Sequence, residues 1–322
     1  MTTAGRDHPH IRRLGVLLMT YGSPSGPDDM PRYLAAVRGG RPATDEVVAE
    51  FRRRYEVIGG SPLIPITQAQ AAAVEDELRR RGVDARAVAG MRFSDPTIDR
   101  ALRELVDAGC DTAVGIVMSP QHSDLLMDGY RRALVAAADV LGDAAPEVRL
   151  APAWHRNDGF LDAVAQRIRE AHDGSSAEGD AVAVLLTAHS LPKRVADQEP
   201  EYLEQLYETA AAVARRAAIP GDRWRFCWQS AGHEPGVWMK PDFSDVLPGL
   251  RDAGYRRVVV APVQFLADHL EILYDVDIAA REQAHAAGIE FARIESLNVM
   301  PRFIDGLASI ALARAGMAIA QA

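Results

Sequence analysis

Eight short apolar runs, alternating with helix-patterned segments, constrain this chain more than any other feature. The runs are Leu14–Met19, Ala85–Met91, Thr112–Met118, Val148–Pro152, Ala181–Thr187, Arg223–Trp228, Arg257–Val263 and Glu290–Leu297. Helical patterns fall between them, among others over Gln68–Arg81, Pro96–Ala108, Gly159–Ala171 and Glu199–Ala218. Runs without polar alternation are strands buried on both faces, and strand–helix alternation implies parallel pairing through right-handed crossovers. The polar stretch Gly142-Asp143-Ala144-Ala145-Pro146 separates the runs into four and four. The expectation is an α/β protein of two Rossmann-like domains, each with a parallel four-stranded sheet, with a cleft between them. The first spans residues 14–150, the second 151–301, and a C-terminal helix over 302–322 packs back on the first.

In open α/β sheets, ligands bind beyond the carboxyl ends of the strands, so residues just after the runs carry the functional signal. Val182-Ala183-Val184-Leu185-Leu186-Thr187-Ala188-His189 ends in an imidazole, followed by the turn Ser190-Leu191-Pro192. An imidazole at a strand mouth holds a divalent metal or takes a proton near neutral pH. Arg257–Val263 leads into Ala267-Asp268-His269-Leu270-Glu271-Ile272-Leu273-Tyr274-Asp275. On an α-helix the spacing of Asp268, Glu271 and Asp275 puts three carboxylates on one face. Lining a cleft, such a row passes a hydrated cation inward. The first run delivers Tyr21 and Gly22, and that phenol is able to donate a hydrogen bond or ligate iron as phenolate. Arg38, Arg41, Arg52, Arg53 and Arg54 lie near the turns Gly39-Gly40 and Gly59-Gly60-Ser61-Pro62, where guanidinium groups suit carboxylates bidentately.

Composition narrows the partners. A net charge of −9 argues against nucleic acid, which needs a basic face. No G-x-G-x-x-G or Walker A loop follows a strand, so a nucleotide site has no support. Two cysteines, Cys110 and Cys227, are too few for a four-thiolate iron–sulfur cluster, and they suit a reducing compartment. The segment before Arg13 has no apolar core of a signal peptide. The longest apolar stretch, Ile304–Ala322, carries Asp305 and Arg314 and reads as a docked helix. A cytoplasmic protein without stable membrane insertion is expected.

Taken together, Leu18-Met19-Thr20-Tyr21-Gly22-Ser23-Pro24, Arg54-Tyr55-Glu56-Val57-Ile58-Gly59-Gly60-Ser61-Pro62-Leu63, Thr187-Ala188-His189-Ser190-Leu191-Pro192, Trp228-Gln229-Ser230-Ala231-Gly232 and the Asp268–Asp275 segment resemble ferrochelatases, in family order. The chain is most similar to the bacterial coproporphyrin III branch, which carries a tyrosine where Tyr21 stands. The resemblance implies a chelatase-like fold that inserts Fe²⁺, as substrate, into a porphyrin in haem biosynthesis, without an organic cofactor. It implies His189 and Glu271 as the catalytic and iron-binding pair, with Asp275 as a relay. It further implies that Tyr21, Arg38, Arg54, Tyr55, Ser61, Tyr130 and Trp238 surround the macrocycle. A transient contact with the downstream coprohaem decarboxylase follows from the same branch.

Three departures stand out. Branch members often have Lys-His after the Gly at position 90, where Met91-Arg92-Phe93 follows here. Ala279 replaces a third acid on the Glu271 helix. Some actinobacterial relatives bind a [2Fe–2S] cluster, for which this chain lacks the usual four thiolates. The alternative readings are a protoporphyrin IX ferrochelatase, a non-catalytic tetrapyrrole carrier of the same fold, and a cobalt or sirohydrochlorin chelatase. Retention of both His189 and Glu271 disfavours the carrier. The Asp-His-Leu-Glu signature disfavours the last.

Overall fold

A computed structural model describes residues 11–173, 181–232 and 236–317. Two parallel four-stranded sheets carry the fold, in the orders β2-β1-β3-β4 and β6-β5-β7-β8. The first comprises β1 (Leu14–Thr20), β2 (Ala85–Met91), β3 (Thr112–Val117) and β4 (Glu147–Leu150); the second, β5 (Val182–His189), β6 (Trp224–Gln229), β7 (Arg257–Pro262) and β8 (Glu290–Arg293). Every residue of β1 is buried, as expected of a central strand covered on both faces. β5 is buried through Ala188, and only His189 emerges.

The helices, in chain order, are α1 (Met30–Val37), α2 (Asp45–Val57), α3 (Leu63–Arg80), α4 (Ile98–Asp107), α5 (Asp124–Leu141), α6 (Asp158–Asp173), α7 (Lys193–Ala196), α8 (Pro200–Arg216), α9 (Phe243–Asp252), α10 (Arg281–Ala286) and α11 (Pro301–Ala315). A π-helix over Glu271–Ala280 precedes α10.

Several boundaries differ from the sequence reading for local reasons. Helix α3 starts at Leu63 rather than Gln68. Pro65 lies in its first turn, where a missing N–H costs no intrahelical bond. β4 stops at Leu150, short of Pro152. β8 stops at Arg293, whose side chain turns to Asp277 and Asp268. Helix α11 ends at Ala315 because Gly316 adopts the left-handed conformation, with φ of 76°. Residues 318–322 of the expected C-terminal helix lie outside the described residues.

One apolar cluster joins the two sheets. It runs from Leu14, Val16 and Val114 through Trp154, Phe160 and Phe303 to Val184, Val259 and Ala261. α11 packs on α3 through Arg81, whose guanidinium reaches Ser309 and Asp305. Against α6 the approach is closer still: a Cβ added at Gly159 would lie 2.6 Å from the Gly306 Cα. Polar ties reinforce this shared core, with Gln121 Nε2 donating to Thr209 Oγ1 at 3.0 Å and Gln70 Nε2 to the Asn298 carbonyl at 2.9 Å. The strand ends of both sheets are thereby fixed relative to each other.

Candidate active site

The first sheet contributes an aromatic and cationic wall. Tyr21 follows β1, while Arg92 and Phe93 follow β2, and backbone bonds Arg92 N–H to Thr20 O (2.9 Å) and Phe93 N–H to Tyr21 O (3.0 Å) align the two segments. The turn needs Gly22: its φ is +89°, and a Cβ there would lie 2.7 Å from Ser94 Oγ. Tyr21 meets Phe93 at 5.2 Å and Tyr130, from α5, at 6.1 Å between ring centroids. The Arg92 guanidinium lies 5.8, 4.7 and 5.7 Å from the centroids of Tyr21, Phe93 and Tyr130.

Helices α1 and α2 form a lip with its own small core of Met30, Leu34 and Val48, against which Phe51 and Tyr55 pack. Thr44 caps α2, and Asp45 and Glu46 suit the positive end of its dipole. Gly59 and Gly60, both at positive φ, end it and turn the chain to Ser61. Ser61 Oγ then accepts from the Leu63 N–H at 3.4 Å, at the start of α3. Arg38 and Arg41 are exposed on the lip, without an acidic partner among the described residues. Arg53 and Arg54 both pair with Glu50.

The second sheet contributes an imidazole–carboxylate wall. The His189 backbone N–H donates to Gln264 Oε1 at 2.9 Å, and Gln264 Nε2 donates to Tyr202 Oη at 2.6 Å. The ring Nδ1 lies 2.6 Å from the Ser190 carbonyl. A carbonyl only accepts, so Nδ1 carries a proton, and Nε2 is the ring nitrogen left for a ligand. His189 packs edge-on against Phe265 at 6.3 Å, and Phe265 against His269 at 4.5 Å. His269 Nδ1 donates to the Ala267 carbonyl at 2.8 Å, which leaves Nε2 3.3 Å from Glu271 Oε2. The histidine and the carboxylate thus stand on one continuous aromatic–imidazole ridge. Trp238 bridges to Pro192, in the turn after His189, and packs over Gly232, where a Cβ would fall 2.6 Å from the indole.

The two walls interact. Arg54 Nη1 lies 3.6 Å from Asp275 Oδ1 and Arg54 Cζ 5.0 Å from the centre of the Tyr274 ring, while Arg53 hydrogen-bonds the Tyr274 hydroxyl. Burial lifts the Tyr21 phenol above its ordinary range; Arg92 opposes that rise and the facing Glu271 adds to it. Tyr33 and Tyr55 are also held up, chiefly by burial, with Glu271 contributing to both. Burial raises the Asp275 carboxyl too, with Glu271 pushing the same way and Ser230, Arg54 and His189 opposing it.

The structure therefore brings Tyr21, Tyr55, Tyr130, Glu271, Asp275, Arg54 and His189 to one cleft. It corrects the acidic row. Asp268 precedes the helix, and its carboxylate is taken by Ser296 (2.7 Å), Asn298 (3.0 Å) and Arg293 (3.3 Å). The helix is also π rather than α over Glu271–Ala280, so the i, i+3, i+7 spacing does not apply. Glu271 and Asp275 alone remain of the row. Arg54, expected to be available to a substrate carboxylate, is engaged with Glu50 and Asp275. Four residues carried no expected role: Arg92, Tyr33, Phe265 and His269. His269 lies inside the Asp-His-Leu-Glu signature, and Arg92 marks a departure from the branch pattern; those were the available signals.

Parallel sheets, with an imidazole and a carboxylate at the strand ends of one facing phenols and guanidiniums at those of the other, define a metal-chelatase class of enzyme. The sequence pattern of the ferrochelatase family matches residues 13–315. A protein from Deinococcus radiodurans named ferrochelatase is 38% identical over 96% of this chain and 97% of its own. Coproporphyrin III ferrochelatases from Geobacillus kaustophilus and Bacillus subtilis are 36% and 32% identical, over 93% and 95% of this chain and 95% and 99% of theirs. The chain belongs to the ferrochelatase family. SirB from Bacillus subtilis, solved with Fe³⁺, shares the fold at a TM-score of 0.58, covering 94% of this chain and 96% of that one at 13% identity. No helix among the described residues is long and apolar enough to cross a membrane.

Proposed function

We propose that this protein inserts Fe²⁺ into coproporphyrin III, giving iron coproporphyrin III, in the cytoplasm. The observation that carries the reading is the opposition of the two walls. One side offers the His189 Nε2 lone pair and the Glu271 carboxylate; the other offers phenols and guanidiniums. Insertion requires a ring dianion: two pyrrole N–H protons leave as one ferrous ion enters. His189 and Glu271 supply an imidazole and a carboxylate on one ridge, so metal approach and proton removal share one wall of the cleft. His269, between Phe265 and Glu271, has Nε2 3.3 Å from that carboxylate and pairs with it when the ring is protonated. Asp275 stands outside Glu271 as a relay for the incoming cation. No group of three or more His, Cys, Asp or Glu among the described residues encloses a metal, so the macrocycle nitrogens complete the iron's coordination.

The porphyrin is held by the aromatic faces and the lip. Coproporphyrin III carries four propionates and protoporphyrin IX two, and Arg38 and Arg41 stand exposed at the mouth without acidic partners among the described residues. Relatives named for the coproporphyrin substrate, at 31–36% identity, support the same choice. Tyr21 contacts the ring iron in the product complex, which then passes to a decarboxylase. Cys110 and Cys227 are both buried, and burial lifts the Cys110 thiol to about 11; the proposed reaction gives them no role.

Anaerobic insertion assays with coproporphyrin III, protoporphyrin IX and sirohydrochlorin test the reading. The expected result is turnover of coproporphyrin III, with kcat/KM at least roughly tenfold above protoporphyrin IX, since lip charges are partly screened. Equal or better turnover of protoporphyrin IX overturns the substrate choice. Porphyrin binding without metallation favours the carrier.

A further inference from the structure

The sequence pattern flagged Arg92 only as a departure, and its surroundings are unusual. The side chain is half-buried. Its guanidinium lies within 6 Å of three ring centroids, those of Phe93, Tyr130 and Tyr21. Among the described residues it has neither an ion pair nor a side-chain hydrogen bond, whereas Arg32, Arg53 and Arg54 on the neighbouring lip all have acidic partners. Aromatic faces attract a cation but do not saturate five N–H donors. A partly desolvated guanidinium with unfilled donors is matched to a planar bidentate anion.

The seat is built rather than incidental. A Cβ added at residue 129 of α5 would overlap the Arg92 guanidinium. Glycine is disfavoured inside a helix, and the space it leaves here is occupied by the Arg92 guanidinium. Arg92 also stands on a different wall from Arg38 and Arg41: it follows β2 beside Tyr21, and they occupy the far end of α1. It therefore meets a different edge of any flat ligand in the cleft.

We propose that Arg92 is a carboxylate-binding residue of the cleft, seated by Gly129, that takes one propionate of the macrocycle. The proposal rests on the porphyrin reading above. It predicts a coupled pair: removing the charge and filling the seat have the same effect, because both remove the same contact.

The test measures porphyrin affinity, by quenching of intrinsic fluorescence, for the wild type, Arg92→Gln, Gly129→Ala and the double variant. Coproporphyrin III is one ligand, and its uncharged tetramethyl ester in detergent is the control. Arg92→Gln is expected to weaken coproporphyrin III about tenfold, as is Gly129→Ala. The double variant is expected to be no weaker than Arg92→Gln alone. Arg92→Lys should recover part of the loss, and the ester should bind all variants within about twofold. Unchanged binding of coproporphyrin III by Arg92→Gln overturns the proposal, as does equal loss for the ester, which would mark a packing role. A normal Gly129→Ala overturns the seat. A wild type that binds no porphyrin overturns the porphyrin reading instead.

Discussion

The two sheets of this protein share a strand order and differ in what they present. Both are parallel, with the same arrangement of central and edge strands. Beyond β1 and β2 stand Tyr21, Arg92 and Phe93, with Tyr130 behind them. Beyond β5 and β7 stand His189, Phe265, His269 and Glu271. One end offers aromatic faces and positive charge, which in the proposed function bind a flat anion without reacting with it. The other offers an imidazole and a carboxylate, which in the proposed reaction exchange protons and meet the incoming cation. The same architecture thus presents two different chemical surfaces, and the difference lies in the residues at and around the strand ends. A common apolar core keeps the two ends opposed.

That division gives substitutions unequal consequences. The largest is expected at His189. Removal of its Nε2 lone pair by His189→Ala should abolish metallation, while coproporphyrin affinity stays within roughly tenfold, about 1.4 kcal/mol. Iron insertion by this variant at the wild-type rate would remove His189 from the chemistry. An intermediate effect is expected at Tyr21. Tyr21→Phe keeps the ring that packs on Phe93 and Tyr130, so porphyrin affinity should change little. The ferric product complex should lose its phenolate-ligated high-spin spectrum; an unchanged spectrum at full occupancy makes Tyr21 a wall residue only.

The smallest effect concerns stability. Burial raises the Asp275 carboxyl in the folded state, so the folded protein binds more protons than the unfolded chain between the two pKa values. Its stabilising contribution is complete below the unfolded value, about 4, and is lost as pH rises through the folded one. Asp275→Asn should therefore raise Tm slightly near pH 7, with the gain shrinking in acid. The nearby Arg54, which loses a partner 3.6 Å away, limits that gain. A lower Tm at neutral pH would show that the Arg54 contact outweighs the burial.

Much of this was legible in the chain. The central strands β1, β3, β5 and β7 announce themselves as mostly apolar runs because they are covered on both faces, whereas β4, β6 and β8 are partly exposed and carry charged residues. His189 was legible for the same reason, as the first polar group past such a run. The acidic row was not, because its spacing assumed an α-helix that begins earlier and winds more tightly than the π-helix from Glu271. Asp268 is diverted by Arg293, Ser296 and Asn298, partners supplied from beyond β8. The engagement of Arg54 with Asp275 and the seating of Arg92 at Gly129 each depend on two elements meeting in space. No local pattern encodes such meetings.

The most direct test crosses the two walls in one experiment. Coproporphyrin III affinity and the single-turnover rate of anaerobic Fe²⁺ insertion are measured together for Arg38→Ala and His189→Ala. Arg38 is exposed on the lip, so its loss should weaken affinity a few-fold, in keeping with a solvent-screened contact, and leave the insertion rate at saturation intact. His189→Ala should do the reverse, retaining affinity and losing insertion. Loss of the same quantity in both variants would contradict the division between a wall that binds and a wall that reacts.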